Sequence, residues 1–194
     1  MKKILIAIAL VPLAGCAWMD GAANTNTQAV TAPVAPRPLT AEQKSEGIAK
    51  LNEVTAMLID SNKLYGDAAE LAKDSEFKAE LATLARERKD QATNFQAHVR
   101  NIGGDPVTSG GPGGVWQSTI MNIASLGQND TKAAVGQVLK ADNGLVDKLN
   151  EDLSDPKLAK STKQFLTGAR DKISVGRDRV AALKAKIDAR VANK

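Results

Sequence analysis

Residues 103–129 read GGDPVTSGGPGGVWQSTIMNIASLGQN, and this stretch decides how the rest of the chain is arranged. The run SGGPGG at 109–114 excludes a helix there, because glycine and proline both disfavour helix interiors. Long segments with helical periodicity lie on either side. The stretch therefore predicts a long crossover between two helical hairpins, with a short apolar helix at 115–126 inside it.

Two helices are predicted before the crossover. Thr40 and Gln43 have the spacing of a capping box, so the first helix begins at Thr40. Asp74 breaks that helix and caps the second, which is predicted over residues 76–102 and ends at two glycines. Its stripe combines apolar and polar side chains at three- and four-residue steps: Phe77, Leu81, Leu84, Arg88, Gln91, Phe95, His98 and Ile102.

Two more helices are predicted after the crossover. Asp130 caps the third, whose stripe is Ala134, Val138, Ala141, Leu145, Leu149 and Leu153. Asp155 before Pro156 predicts an N-cap with proline at the first position of the fourth helix. The stripe of that helix is Leu158, Phe165, Ala169, Ile173, Val180, Leu183, Ile187 and Val191. Two hairpins joined by one long crossover predict an all-α, ferritin-like four-helix bundle.

The first residues have the pattern of a secretion signal. Lys2 and Lys3 precede an apolar run at 4–11, which is shorter than the about 20 residues that cross a bilayer. The run ends in LAGC at 13–16, which resembles a bacterial lipobox. That resemblance implies cleavage before Cys16 and acylation of its thiol, for example with palmitate. The predicted domains are a signal peptide at 1–15, a lipidated disordered tether at 16–39 and the bundle at 40–194.

The predicted location follows from the same residues. Cys16 is the only cysteine, so no disulfide can form within the chain. A multiply acylated Cys16 would be a stable membrane anchor. Ala17 stands where an aspartate would resemble an inner-membrane retention signal. These features predict a lipoprotein of the bacterial cell envelope, held in the outer membrane and facing the periplasm.

Composition narrows the class of the folded part. Aromatic residues make up 3% of the chain, while good helix formers abound, which disfavours a β-sandwich. The net charge of +4 includes two lysines of the signal, so a nucleic-acid partner is not predicted. The fourth helix is strongly basic. This basicity fits either charge complementarity between neighbouring helices or a surface for anionic lipid or cell-wall polymer.

Several short segments resemble the DUF2383 family, over about residues 47–184. They are Leu51-Asn52-Glu53, Tyr65 with Ala68-Ala69-Glu70, Glu87-Arg88, Val99-Arg100-Asn101-Ile102-Gly103-Gly104 and Arg177-Asp178-Arg179-Val180. The resemblance implies a four-helix bundle related to ferritin-like proteins. It implies no activity, because the family has no settled one.

A di-iron centre of the ferritin type needs Glu-x-x-His on two helices, and this chain has one histidine, His98. No metal and no cofactor are therefore predicted. His98 fits a packed histidine better than a ligand. Arg88 and Gln91 predict a buried polar layer or, alternatively, an altered ligand site. The candidates for a metal site built from carboxylates alone are Asp60, Glu87, Asp90, Asp142 and Asp147.

No motif of an enzyme is present, so a non-catalytic binding or structural role in the envelope is predicted. Self-association or an envelope protein would supply the partner, with contacts predicted at Trp116, Arg177 and Arg179. One alternative is a metal-binding or redox protein that uses the carboxylates. Another is a binder of anionic lipid or cell wall that uses the basic fourth helix.

Overall fold

A computed structural model describes residues 38–111 and 131–192, and these residues form four α-helices. Helix α1 spans Ala41–Leu71 and α2 spans Ser75–Asn101. Helix α3 spans Thr131–Ser154 and α4 spans Lys160–Ala192. The described ranges contain no strand, so the predicted all-α class is confirmed. None of their helices is both long and apolar enough to cross a bilayer.

The ends of the first hairpin form as their residues predict. Thr40 and Gln43 exchange hydrogen bonds of 3.1 Å between side chain and backbone, which completes the capping box of α1. Asp74 accepts from the backbone N–H groups of Glu76 and Phe77 and so caps α2. After α2, Gly103 adopts a left-handed conformation with φ +86°, which glycine permits without strain.

The start of α4 differs from the prediction. The helix begins at Lys160 rather than at Pro156. The Asp155 carboxylate accepts a hydrogen bond of 2.9 Å from the backbone N–H of Lys157, which closes a local turn instead of capping a helix. This turn buries Leu158. The predicted cap at Asp130 and the short helix at 115–126 lie outside the described residues.

Contacts between the helices define the topology. Asn62 of α1 bonds to the Ala85 carbonyl of α2, and Tyr65 of α1 bonds to Asp142 of α3. The residue pairs that face each other show that α1 runs antiparallel to both α2 and α3, and that α4 runs antiparallel to the same two helices. Helices α1 and α4 are therefore parallel and lie diagonally across the bundle. This is the arrangement expected for two hairpins with one crossover.

The first part of the crossover, residues 103–111, lies against α1 and is called the strap here. Asn52 donates to the Asp105 carbonyl at 2.9 Å and accepts from the Val107 N–H at 3.0 Å. Farther along, the Gly111 N–H donates to Asp60 at 3.2 Å. A Cβ at Gly104 would lie 2.6 Å from the Ile48 side chain, so glycine allows the close approach.

The core confirms most of the predicted stripes. Every predicted stripe residue of α3 from Ala134 to Leu149 is buried, and Val191 of α4 is the clear exception at 57% exposure. The stripe of α3 was predicted too narrow, since Val135 and Val146 are buried as well. Helix α3 packs against both α1 and α4. The face of α3 that is buried is therefore wider than a single stripe.

Candidate functional site

The middle of the bundle contains a buried polar cluster, called the Arg88 cluster here, made of Tyr65, Arg88, Gln91 and Asp142. Tyr65, Arg88 and Asp142 have no exposed surface. Arg88 Nη2 donates to Asp142 Oδ2 at 2.9 Å, and Tyr65 Oη donates to the same oxygen at 2.5 Å. Helices α1, α2 and α3 thus meet at one carboxylate oxygen.

The fourth helix supplies space and a further acceptor for the guanidinium. The Ile173 carbonyl of α4 accepts from Arg88 Nη2 at 3.4 Å. Gly176 lies directly beneath, and a Cβ there would come within 2.9 Å of Nη2. On α2 itself, Gln91 Oε1 accepts from Nη1 at 3.0 Å. The guanidinium carbon also lies 5.5 Å from the centre of the Tyr65 ring, a cation–π distance.

Burial and neighbouring charges shift the pKa values of three members of this cluster. Burial raises the pKa of Tyr65 well above its ordinary value, and the Asp142 carboxylate raises it further, so the phenol keeps its proton and donates. Burial disfavours the charged form of Arg88, but Asp142 and Tyr65 outweigh that effect and raise its pKa. Burial also raises the pKa of Asp142, against the opposing effect of Arg88.

The five carboxylates proposed as metal ligands are not brought together. Only Asp142 lies in the Arg88 cluster. Asp60 faces the strap, where burial raises its pKa against the lowering effect of the Gly111 N–H. Glu87 pairs with Arg179 of α4, while Asp90 and Asp147 are exposed. In residues 38–111 and 131–192 no three His, Cys, Asp or Glu side chains are grouped to hold a metal ion.

The Arg88 cluster has the chemistry of a closed structural layer. Its cation occupies the space that two or more carboxylates would need to approach a metal, and a metal cation there would face the charge of Arg88. Arg88 Nε and Asp142 Oδ1 lack hydrogen-bond partners among the described residues. Of the two readings left open for Arg88 and Gln91, the geometry fits the buried polar layer.

A groove between α2 and α4 lies at the end of the bundle where α2 ends and α4 begins. It has a volume of about 490 Å³ and is called the aromatic groove here. His98 and Phe165 stack in it with ring centres 4.1 Å apart and planes 4° apart. Phe95 and Phe165 form a T-shaped pair with ring centres 4.8 Å apart. Burial lowers the pKa of His98, so this histidine is packed and neutral near pH 7.

Toward the other end, α2 and α4 are joined by ion pairs, called the charge ladder here. Arg179 donates to Glu80 and to Glu87, both at 2.7 Å. The other rungs join Lys186 to Glu76 and Arg190 to Asp74. Three of the nine basic residues of α4 are thus paired with acidic residues of its neighbour α2, so part of the basic charge of α4 fits charge complementarity between helices.

The residues predicted to contact a partner have different surroundings. Arg179 is engaged within the charge ladder and is a poor candidate for such a contact. Arg177 pairs with the adjacent Asp178 at 2.7 Å and remains partly exposed. Trp116 and Cys16, the predicted lipidation site, lie outside the described residues.

Sequence reasoning missed two contributors to these sites. Gly176 leaves space for the guanidinium, but a single glycine in a helix has no pattern that identifies this role. Phe165 was placed on the apolar stripe of α4, and its stacking partner could not be foreseen. The sequence feature that pointed to this contact was the aromatic ring of His98 near the end of α2.

Comparison with known proteins gives one family match. The model of a family described as a domain of unknown function, DUF2383, matches residues 46–155. The match covers more than half of the chain and includes Tyr65, Arg88 and Asp142. The aromatic groove straddles its boundary, since Phe165 lies beyond it. No curated protein matches the chain significantly.

Proposed function

The chain belongs to the DUF2383 family, and we propose that it is a lipid-anchored protein of the bacterial envelope whose helical bundle has a non-catalytic binding or structural role. The observation that carries this proposal is the Arg88 cluster. A ferritin-like bundle places its reactive metals between the helices at mid-height. Here an arginine–aspartate pair with no exposed surface fills that position.

The proposed anchor rests on the LAGC stretch at 13–16. A multiply acylated Cys16 would hold the chain in the outer membrane, because Ala17 lacks the acidic side chain of the retention signal. The tether at 16–39 would let the bundle stand away from the lipid. The partner is an envelope component or a second copy of this chain.

The anchor is tested by expressing the full chain in a bacterium with two membranes and separating the membranes on a density gradient. We expect the chain in the outer-membrane fraction, with a mass increase on the peptide that begins at Cys16. Cys16→Ser should release it into the soluble fraction, and Ala17→Asp should move it to the inner membrane. Ala17→Ser is the matched control and should change nothing. An unmodified chain that stays soluble would refute the anchor.

The non-catalytic role is tested with the full chain in detergent, incubated with Fe(II), Mn(II) or Zn(II) and then desalted. We expect far less than one metal ion per chain. The decisive variant is Glu87→Ala, with Glu70→Ala on the exposed face of α1 as the control. Stoichiometric metal that is lost only in Glu87→Ala would overturn the proposal in favour of a metal-binding or redox protein.

A further inference from the structure

The aromatic groove has the dimensions of an extended ligand. Its α2 wall runs from Gln91 to Asn101, which is about 15 Å at 1.5 Å per residue. Phe95 is 1% exposed and forms the floor, while His98 and Phe165 are half-buried on the walls. Gly168 and Ala169 of α4 add little bulk, so the groove stays open. No described residue crosses it.

The rims of this groove are lined by amides rather than by charges. Asn94, Asn101 and Gln164 line it, and their side-chain amides have no hydrogen-bond partner among the described residues. Gln91 also lines it, and its amide nitrogen Nε2 stays available because Arg88 bonds only to the amide oxygen. Each amide can donate and accept at once. Lys172 is the one residue of the lining with a full charge at neutral pH.

This combination selects among ligand classes. A polyanion needs several cations, and the lining offers one. An amphipathic helix lays a row of apolar side chains into a groove, whereas the apolar side chains of this lining are only two phenylalanines and two alanines. A sugar chain presents apolar C–H faces that stack on flat rings and hydroxyl groups that bond to donor–acceptor side chains such as amides. A length of about 15 Å is sufficient for a short oligosaccharide.

We propose that the aromatic groove binds a glycan strand, with sugar rings packed against the sides of the His98–Phe165 stack that remain exposed and their hydroxyl and acetamido groups bonded to Asn94, Asn101 and Gln164. This inference rests on the proposed function, because it names the envelope component that the anchored bundle engages. Lys172 would favour sugars that carry a carboxylate near one end of the groove. The bundle then joins a membrane to the glycan layer of the envelope without any reaction.

The test uses the full chain in detergent and two probes. One is a soluble oligomer of N-acetylglucosamine, titrated by calorimetry, and the other is purified peptidoglycan, sedimented with the chain. Asn101→Ala with Gln164→Ala removes two exposed amides and should weaken binding about tenfold. The matched control is Asn143→Ala with Asn150→Ala, which removes two exposed amides from α3 and should bind as the wild type does.

Each outcome decides the proposal. Binding to both probes that is weakened about tenfold in the groove variant and is unchanged at high salt supports it. No binding to either probe overturns it, as does binding that the control pair weakens equally. Binding that salt abolishes overturns it in favour of an anionic polymer. Binding to peptidoglycan without binding to the N-acetylglucosamine oligomer, which has no peptide stems, overturns it in favour of a peptide ligand. Membrane fractionation is independent, so an anchored chain that binds no glycan refutes only this inference.

Discussion

Arg88 carries a positive charge into a part of the bundle from which water is excluded. Replacing Arg88 by Met would leave the Asp142 carboxylate buried without its partner, and we expect a loss of about 3–5 kcal/mol in the free energy of unfolding. Urea denaturation measures this loss. Lys89→Met, on the exposed side of the same turn, is the control and should change little.

The same pair gives a sharper test when both charges are removed. Arg88→Met combined with Asp142→Leu should recover most of the lost stability, because no uncompensated charge remains. Equal losses in the single and double variants would show that the ion pair has no special part in the stability of the bundle.

His98 gives the fold a pH dependence whose sign follows from its burial. Its pKa is lowered from the ordinary 6.5, so the unfolded chain takes up a proton at higher pH than the folded chain does. Above pH 6.5, His98 is mostly neutral in both the folded and the unfolded chain, and the free energy of unfolding is not reduced by its titration. As the pH falls from 6.5 toward the lower pKa of the folded state, the unfolded chain binds the proton first and the free energy of unfolding decreases. Between pH 7.5 and 5.5, His98→Gln should therefore unfold with a weaker pH dependence than the wild type. An identical pH dependence would contradict the burial of the ring.

The strap shows at the scale of an element how two neighbouring glycines differ. A Cβ at Gly110 would overlap the Asp60 carboxylate, whereas one at Gly111 would lie 3.7 Å from Ala56, an ordinary contact. Gly110→Ala should therefore displace the strap and lower the free energy of unfolding by about 1–3 kcal/mol. Faster hydrogen exchange at the Val107 amide would report the displacement. Gly111→Ala is the matched control and should retain wild-type exchange.

The elements also show what sequence can and cannot predict. Thr40, Asp74 and Gly103 act through neighbours within four residues, and each was predicted correctly. Asp155 was misread because an aspartate before proline can begin a turn as well as a helix, and the burial of Leu158 decides between them. The meeting of Tyr65 with Asp142 joins residues far apart in the chain. The periodicity of the sequence shows which face of its helix each residue occupies. It does not show which helix faces pack against each other.

At the scale of the whole molecule, side chains rather than closely packed backbones join α2 and α4, through the charge ladder and through the aromatic ring contacts of the groove. Arg179 and its partners Glu80 and Glu87 are about one-third exposed, so Arg179→Ala should cost about 1 kcal/mol at low salt. The difference from wild type should shrink in 1 M NaCl, where charges are screened beyond about 3 Å. Arg86→Ala, whose side chain bonds to the Thr83 hydroxyl, should show no such salt effect.

The parallel course of α1 and α4 has a mechanical consequence. The backbone enters the bundle at Thr40 and reaches Ala192 at the opposite end, about 50 Å away for a helix of 33 residues. A force applied between these two points acts along the helix axes, so it shears long side-by-side contacts all at once. A chain that entered and left at one end would instead peel apart turn by turn. Under tension the helices therefore slide past one another in shear, and the bundle should unfold only at high force.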